Sequence, residues 1–158
     1  MATGGQGWKA IALDEIEAVP WRDTELVWRP VRGALDLLPD GRHCFEFREP
    51  SWFCDPVYDL LRAHGVALAI GDHPERPWQP FVLTTDWTYV RFHYGRRGRR
   101  GNYSDTELRE WADRLADAAA GAEVLAYFNN DWEGFAVRNA LRLRDLLQRA
   151  GGAVGPRL

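Results

Sequence analysis

Four short stretches of this 158-residue chain carry side chains able to move protons or hold anions. In R-H-C-F-E-F-R (42–48), Glu46 and Arg48 lie two positions apart. In V-A-L-A-I-G-D (66–72), Asp72 follows a continuous apolar run. In T-Y-V-R-F-H-Y (88–94), Arg91 and His93 are again two apart. In E-V-L-A-Y-F-N-N (123–130), two amides, Asn129 and Asn130, stand where the apolar run stops. A spacing of two puts side chains on one face of an extended strand. Glu46 therefore shares a face with Arg48, and Arg91 shares one with His93. A carboxylate or imidazole so placed can act as general acid or base, and a guanidinium can hold a carboxylate or phosphate. Removing such groups from water costs on the order of several kcal/mol unless they are paired. The same residues thus also read as an internal ion-pair network, Glu46 with Arg48 or with Arg91, and the two readings can coexist.

The remaining polar candidates carry two meanings each. Asn129 and Asn130 suit a turn or a helix start, where asparagine is favoured, or an amide contact to a ligand. Asp72 is either a ligand contact or a loop cap. Trp52, in the E-P-S-W turn, either packs in its loop or stacks on a sugar or base; Tyr103 lies on another nearby loop. Glu46, Asp72 and His93 are a ligand set that zinc, manganese or magnesium would accept, but no HxH or CxxC spacing supports it, so no metal is expected. Cys44 reads as a small filler within its strand, and His43, His64 and His73 as surface or loop residues. Arg96, Arg97, Arg99 and Arg100, in G-R-R-G-R-R-G, form either a solvated loop or a clamp for phosphate or nucleic acid.

Strands that end in such groups alternate here with helical patterns, which is the signature of an α/β fold. Arg42–Arg48, Val66–Ile70, Thr88–Tyr94 and Val124–Phe128 read as strands. Thr24–Leu38, Pro56–Ala63, a helix starting at Ser104 and Gly134–Ala150 read as helices. Ser104 with Glu107 three positions on is a capping box. Leu108, Trp111, Ala112, Leu115 and Ala119 form the apolar stripe of that helix. Three prolines mark 73–87 as a long loop. Ile11–Val19 reads as a short helix before Pro20.

The length suits one domain with its own core, and a net charge of −3 gives no overall attraction to nucleic acid or anionic membrane. The two cysteines suggest reduced thiols and a cytoplasmic setting. The first residues lack a basic stretch followed by an apolar run, and no apolar run reaches the roughly 18–20 residues of a membrane span.

The segments F-E-F-R-E-P-S-W, V-R-F-H, Y-S-D-T-E-L-R-E-W-A and Y-F-N-N-D-W-E-G-F-A-V-R-N-A resemble the DUF72 (YecE-like) family over Ala34–Gln148. Members are TIM-type barrels whose biochemical activity is not established. The resemblance implies four parallel βα units corresponding to the second half of an eight-stranded barrel over 34–150. Residues 1–33 form a less readily placed segment with part of a helix, and 151–158 a tail. The family glycine after the V-R-F-H histidine is displaced here by Tyr94. In such barrels the site lies at the carboxyl ends of the strands. Glu46 and His93 are then the acid–base candidates, and Arg48 and Arg91 the anion clamp. Asp72, Asn129, Asn130 and Trp52 are further ligand contacts, with no particular cofactor implied. The expected partners are an anionic small molecule, a second copy or a complementary half-barrel, and nucleic acid through the arginine loop. The alternatives to an enzyme are a non-catalytic binding module and a truncated, inactive fragment.

Overall fold

The computed structural model describes residues 31–75 and 79–150. The chain divides into two compact units, Met1–Leu38 and Pro39–Leu158. In the first, residues 31–36 are helical, with Val31 and Leu35 buried. The rest of the helix expected over Thr24–Leu38, the short helix expected over Ile11–Val19 and the tail at 151–158 lie outside the described residues.

The second unit is a four-stranded sheet in the order β1-β2-β3-β4, every neighbour parallel. β1 is Cys44–Phe45, β2 Ala67–Asp72, β3 Trp87–Phe92 and β4 Glu123–Phe128, with α1 (Asp55–Ala63), α2 (Asp105–Ala119) and α3 (Phe135–Arg149) interleaved. The four parallel strands are those that the family resemblance implies, on the α/β alternation that the pattern predicts; β1, β3 and β4 are each followed by an α-helix, whereas β2 runs into the proline-rich 73–86 loop. β2 is buried along almost its whole length, as expected for a parallel strand covered on both faces.

The sheet register sorts the side chains. Ala69 pairs with Tyr89 and Gly71 with Arg91, while Ile70 pairs with Val90 and Asp72 with Phe92. Ile70, Val90 and Phe92 face α2 and build the core with Leu108, Trp111, Ala112, Leu115 and Leu143. Phe92 is its centre: its ring stacks on Phe128 at 4.2 Å and meets Trp111 edge-on at 4.9 Å. Each such buried side chain contributes roughly 1.5–3 kcal/mol. The opposite, inner face carries Tyr89 and Arg91 with the polar strand ends. The α2 stripe is as expected except at its end, where Ala118 is buried and Ala119 is exposed. The helix turns about 100° per residue, and the three-residue step from Leu115 to Ala118 keeps to the stripe.

Strand limits differ from the pattern. β1 has two residues, not seven. Beyond Phe45 the ladder to β2 stops, and the Phe47 carbonyl is taken by the Gln79 side chain (Nε2 to O, 3.0 Å). A side-chain amide from the 73–86 loop thus replaces the next backbone bond. At the amino end, the Thr84 hydroxyl donates to the Val66 carbonyl and accepts from the Leu68 amide at 2.8 and 2.9 Å. Arg42, just before β1, reaches Glu123 of β4 at 2.8 Å with its guanidinium over the Trp87 ring.

The capping box of α2 is present: Ser104 and Glu107 bond each other reciprocally. Glu107 does more, accepting from the Arg96 and Arg97 amides at 2.6 and 3.0 Å. Burial pushes its carboxyl up, but the bonds from Ser104, Arg96 and Arg97 outweigh this and hold it below its ordinary value. A carboxylate whose folded pKa is depressed stabilises fully above its unfolded pKa and loses that contribution as pH falls through the folded one. Glu107→Gln is therefore expected to cost about 1–3 kcal/mol at pH 7. Thermal melts of the variant and the parent should converge as pH falls below the ordinary range of a glutamate. A constant gap across that range would contradict the linkage.

Candidate functional site

The inner face at the carboxyl ends of the strands holds a cavity of about 190 Å³. Glu46, Arg48, Gly71, Asp72, His73, Gln79, Arg91 and His93 line it. Its backbone is the alternation set by the register: Glu46 and Arg48 project from the chain continuing β1, Arg91 from β3, and His93 from the residue just beyond it.

Arg91 is the hub. Its Nη1 donates to Glu46 Oε2 at 2.7 Å. The Asn129 amide satisfies every neighbour when its oxygen faces Arg91, accepting from Nη2 at 2.9 Å and Nε at 3.2 Å, while its nitrogen donates to the Phe92 carbonyl at 2.8 Å. With this assignment from the hydrogen-bond network, His93 Nδ1 lies 2.9 Å from the Asn129 oxygen and 3.0 Å from the Asn129 nitrogen, so the amide holds the ring whether Nδ1 donates to the oxygen or accepts from the nitrogen. When Nδ1 donates, His93 Nε2 is left as an acceptor. His73 stacks on His93, with ring centroids 4.7 Å apart. The Glu75 amide donates to His73 Nδ1 at 3.2 Å, which puts the proton of the neutral ring on Nε2. Arg48 pairs more loosely with Glu46, at 3.7 Å, and is more than half exposed. The site therefore contains one internally consumed guanidinium, one available to an anion, and two stacked imidazoles, each held through Nδ1.

Several expected contributors stand elsewhere. Asp72 borders the cavity, where its carbonyl accepts from the His93 amide at 3.2 Å, but its side chain belongs to the opposite side of the sheet from Arg91, because adjacent residues of a strand point to opposite faces. Its carboxylate accepts from Trp111 Nε1 at 3.1 Å and from Arg96 at 3.4 Å. Burial raises its pKa, opposed by the Tyr103 hydroxyl, Arg96 and Trp111. Tyr103 lies beside it in the core, its own hydroxyl pushed far up by burial and by that carboxylate. Asn130 is buried and donates to the Gly101 carbonyl at 3.0 Å, bracing the arginine loop. Trp52 stacks on Phe47 at 5.2 Å. Glu46, Arg48, Arg91, His93 and Asn129 are brought together. His73 and Gln79 join them, although their loop positions gave no sequence signal.

Three of the four arginines of the loop are paired within the fold. Arg96 pairs with Asp72, Arg97 with Glu110 at 2.6 Å, and Arg100 with Glu133 at 2.8 Å. Arg100 and Glu133 both have positive φ, 53° and 55°, and each is followed by a glycine, so the pair joins two tight turns above β3 and β4. Among the described residues no cluster of three His, Cys, Asp or Glu side chains forms a metal site. No described helix is long and apolar enough to cross a membrane.

A parallel sheet with interleaved helices and a polar rim at the strand ends defines a TIM-barrel-like α/β protein. The chain belongs to the DUF72 family, "Protein of unknown function DUF72", whose model matches residues 20–157. It is similar to the crystal structure of a DUF72 family protein from Thermotoga maritima, with 28% identity and a TM-score of 0.63, covering 75% of this chain and 49% of that one. Two structures of a DUF72 family protein from Enterococcus faecalis share the fold at 20% and 21% identity, each with a TM-score of 0.64, and are each covered over 55% of their length. The chain thus spans about half the length of these relatives. No curated protein matches it.

Cys44 borders this region but offers no nucleophile. Burial, and then the Glu46 charge, push its thiol up to about 12, so the thiolate fraction at pH 8 is on the order of 10⁻⁴. Cys44 is expected to resist iodoacetamide at pH 8 in the native protein and to react once urea unfolds it. Peptide mass spectrometry checks this, and labelling of Cys44 in the folded state would contradict the burial argument.

Proposed function

We propose that the inner rim is an enzyme site for a small anionic molecule, with His93 as the proton-transferring group and Arg48 as the anion contact. The observation that carries this reading is the relay from Glu46 through Arg91 and Asn129 to His93. It holds the imidazole ring by Nδ1, and in this reading Nδ1 donates to the Asn129 oxygen and leaves Nε2 as a base beside the Arg48 guanidinium. Orienting a histidine through its other ring nitrogen is how proteins prepare it for acid–base work. Glu46, the other acid–base candidate, is better suited to anchoring Arg91 and Arg48, because Arg91 already occupies one of its oxygens at 2.7 Å. A phosphorylated substrate suits Arg48, and no cofactor is required by this reading. Asp72, Asn130 and Trp52 serve as structural supports in it.

A partner chain also fits the fold. β4 is an outer strand of the sheet, and Tyr127 on it is 52% exposed while stacking on Tyr89 at 5.0 Å. A second copy or a complementary half-barrel would cover that edge, in keeping with relatives of about twice this length. Nucleic-acid binding draws less support, since Arg96, Arg97 and Arg100 already pair with carboxylates. A non-catalytic or truncated state remains the alternative to the enzyme reading. The two unpaired cysteines suit a reducing, cytoplasmic setting.

Proton–nitrogen correlation NMR of the histidine rings is expected to show His93 protonated at Nδ1, with its Nε2 resonance shifting on addition of inorganic phosphate. Arg48→Ala should weaken phosphate binding about tenfold or more, and His93→Gln by less than about threefold. Phosphate that leaves His93 unmoved and binds Arg48→Ala as tightly as the parent would overturn the proposal.

A further inference from the structure

Gln79, which lines the rim cavity, carries a buried acceptor with nothing to accept. Gln79 Nε2 is spent on the Phe47 carbonyl, but Gln79 Oε1 is buried and has no hydrogen-bond partner. Leaving such an oxygen unpaired costs roughly 1–3 kcal/mol, so in a native site it marks a place for water or ligand. The amide lies over Gly71, where a Cβ would sit 2.4 Å from Oε1. Gly71 is level with Arg91 in the ladder, so the missing side chain leaves room for the amide at the height of the Glu46–Arg91 pair.

We propose that Gln79 Oε1 accepts a hydrogen bond from a hydroxyl of the ligand whose anionic group Arg48 holds, so that the site selects small hydroxylated oxyanions, phosphate esters or carboxylates. This rests on the rim being an anion site. The donor is a hydroxyl and not an ammonium, because the surrounding charge includes the guanidiniums of Arg48 and Arg91, Glu46 is committed to both, and the Asp72 carboxylate is committed to Trp111 and Arg96. A neutral donor meets no repulsion there. The cavity, about 190 Å³, has room for roughly six water volumes of about 30 Å³ each, which suits a three-carbon phosphate ester. Gln79 is a specificity-determining residue in this scheme: it distinguishes a hydroxylated ligand from its deoxy analogue and takes no part in proton transfer.

Calorimetric titration of glycerol phosphate, propyl phosphate and inorganic phosphate tests this on the parent chain, Gln79→Leu and Gly71→Ala. The alanine displaces the Gln79 amide without altering it. The parent is expected to bind glycerol phosphate about tenfold more tightly than propyl phosphate, the effect of one hydrogen bond. Both variants should reduce that ratio to about one while holding inorganic phosphate within about twofold, which also shows that they are folded. A ratio near one in the parent means that water alone occupies the acceptor and overturns the inference, leaving the anion site intact. A ratio that persists in Gln79→Leu overturns it equally. Absence of any phosphate binding by the parent removes the anion site, and this inference with it.

Discussion

The guanidinium of Arg91 ties three strands together at their carboxyl ends. It reaches Glu46 beside β1 and Asn129 beyond β4 from its own place in β3. A buried or half-buried cation is tolerable only when its donors are directed at acceptors, and here Nη1, Nη2 and Nε all are. Fixing Arg91 fixes Asn129, and fixing Asn129 fixes the ring of His93. The polar rim is therefore a set of mutually dependent orientations.

That arrangement depends in turn on the sheet keeping its two faces separate. The parallel register sends Ile70, Val90 and Phe92 into the helix layer and Gly71, Arg91 and Tyr127 to the inner side. A slip of one residue would exchange the two sets and bury the guanidinium among aromatic rings. Phe92, wedged between Phe128, Tyr103 and Trp111, opposes such a slip because no smaller or polar neighbour could fill its place without a cavity. Asp72 is the exception on the helix side. It is a carboxylate in the core layer, tolerated because Trp111 and Arg96 supply donors, at the cost of a raised pKa.

The loops after β3 and β4 are tied to each other and to α2 by charge. Glu107 gathers the amides at the start of the arginine loop, Arg100 meets Glu133, and Asn130 holds Gly101. A loop rich in arginine looks like a surface for anions in the linear chain. In the fold most of its charge is cancelled by carboxylates from α2, β2 and the β4–α3 turn. The rim keeps Arg48 as the cation with spare hydrogen-bonding capacity.

The local pattern determined the strand and helix succession, the capping box of α2 and the face shared by Glu46 with Arg48 and by Arg91 with His93, because period-two and period-3.6 spacings and caps are properties of neighbouring residues. The family motifs added the barrel-like architecture. Tertiary structure alone decided that β1 ends after two residues, that His73 stacks on His93, that Gln79 lies over Gly71 and that Asp72 and Asn130 turn away from the rim. Each of these depends on which distant backbone or side chain satisfies a donor or acceptor, and that choice is made only when the strands are laid side by side.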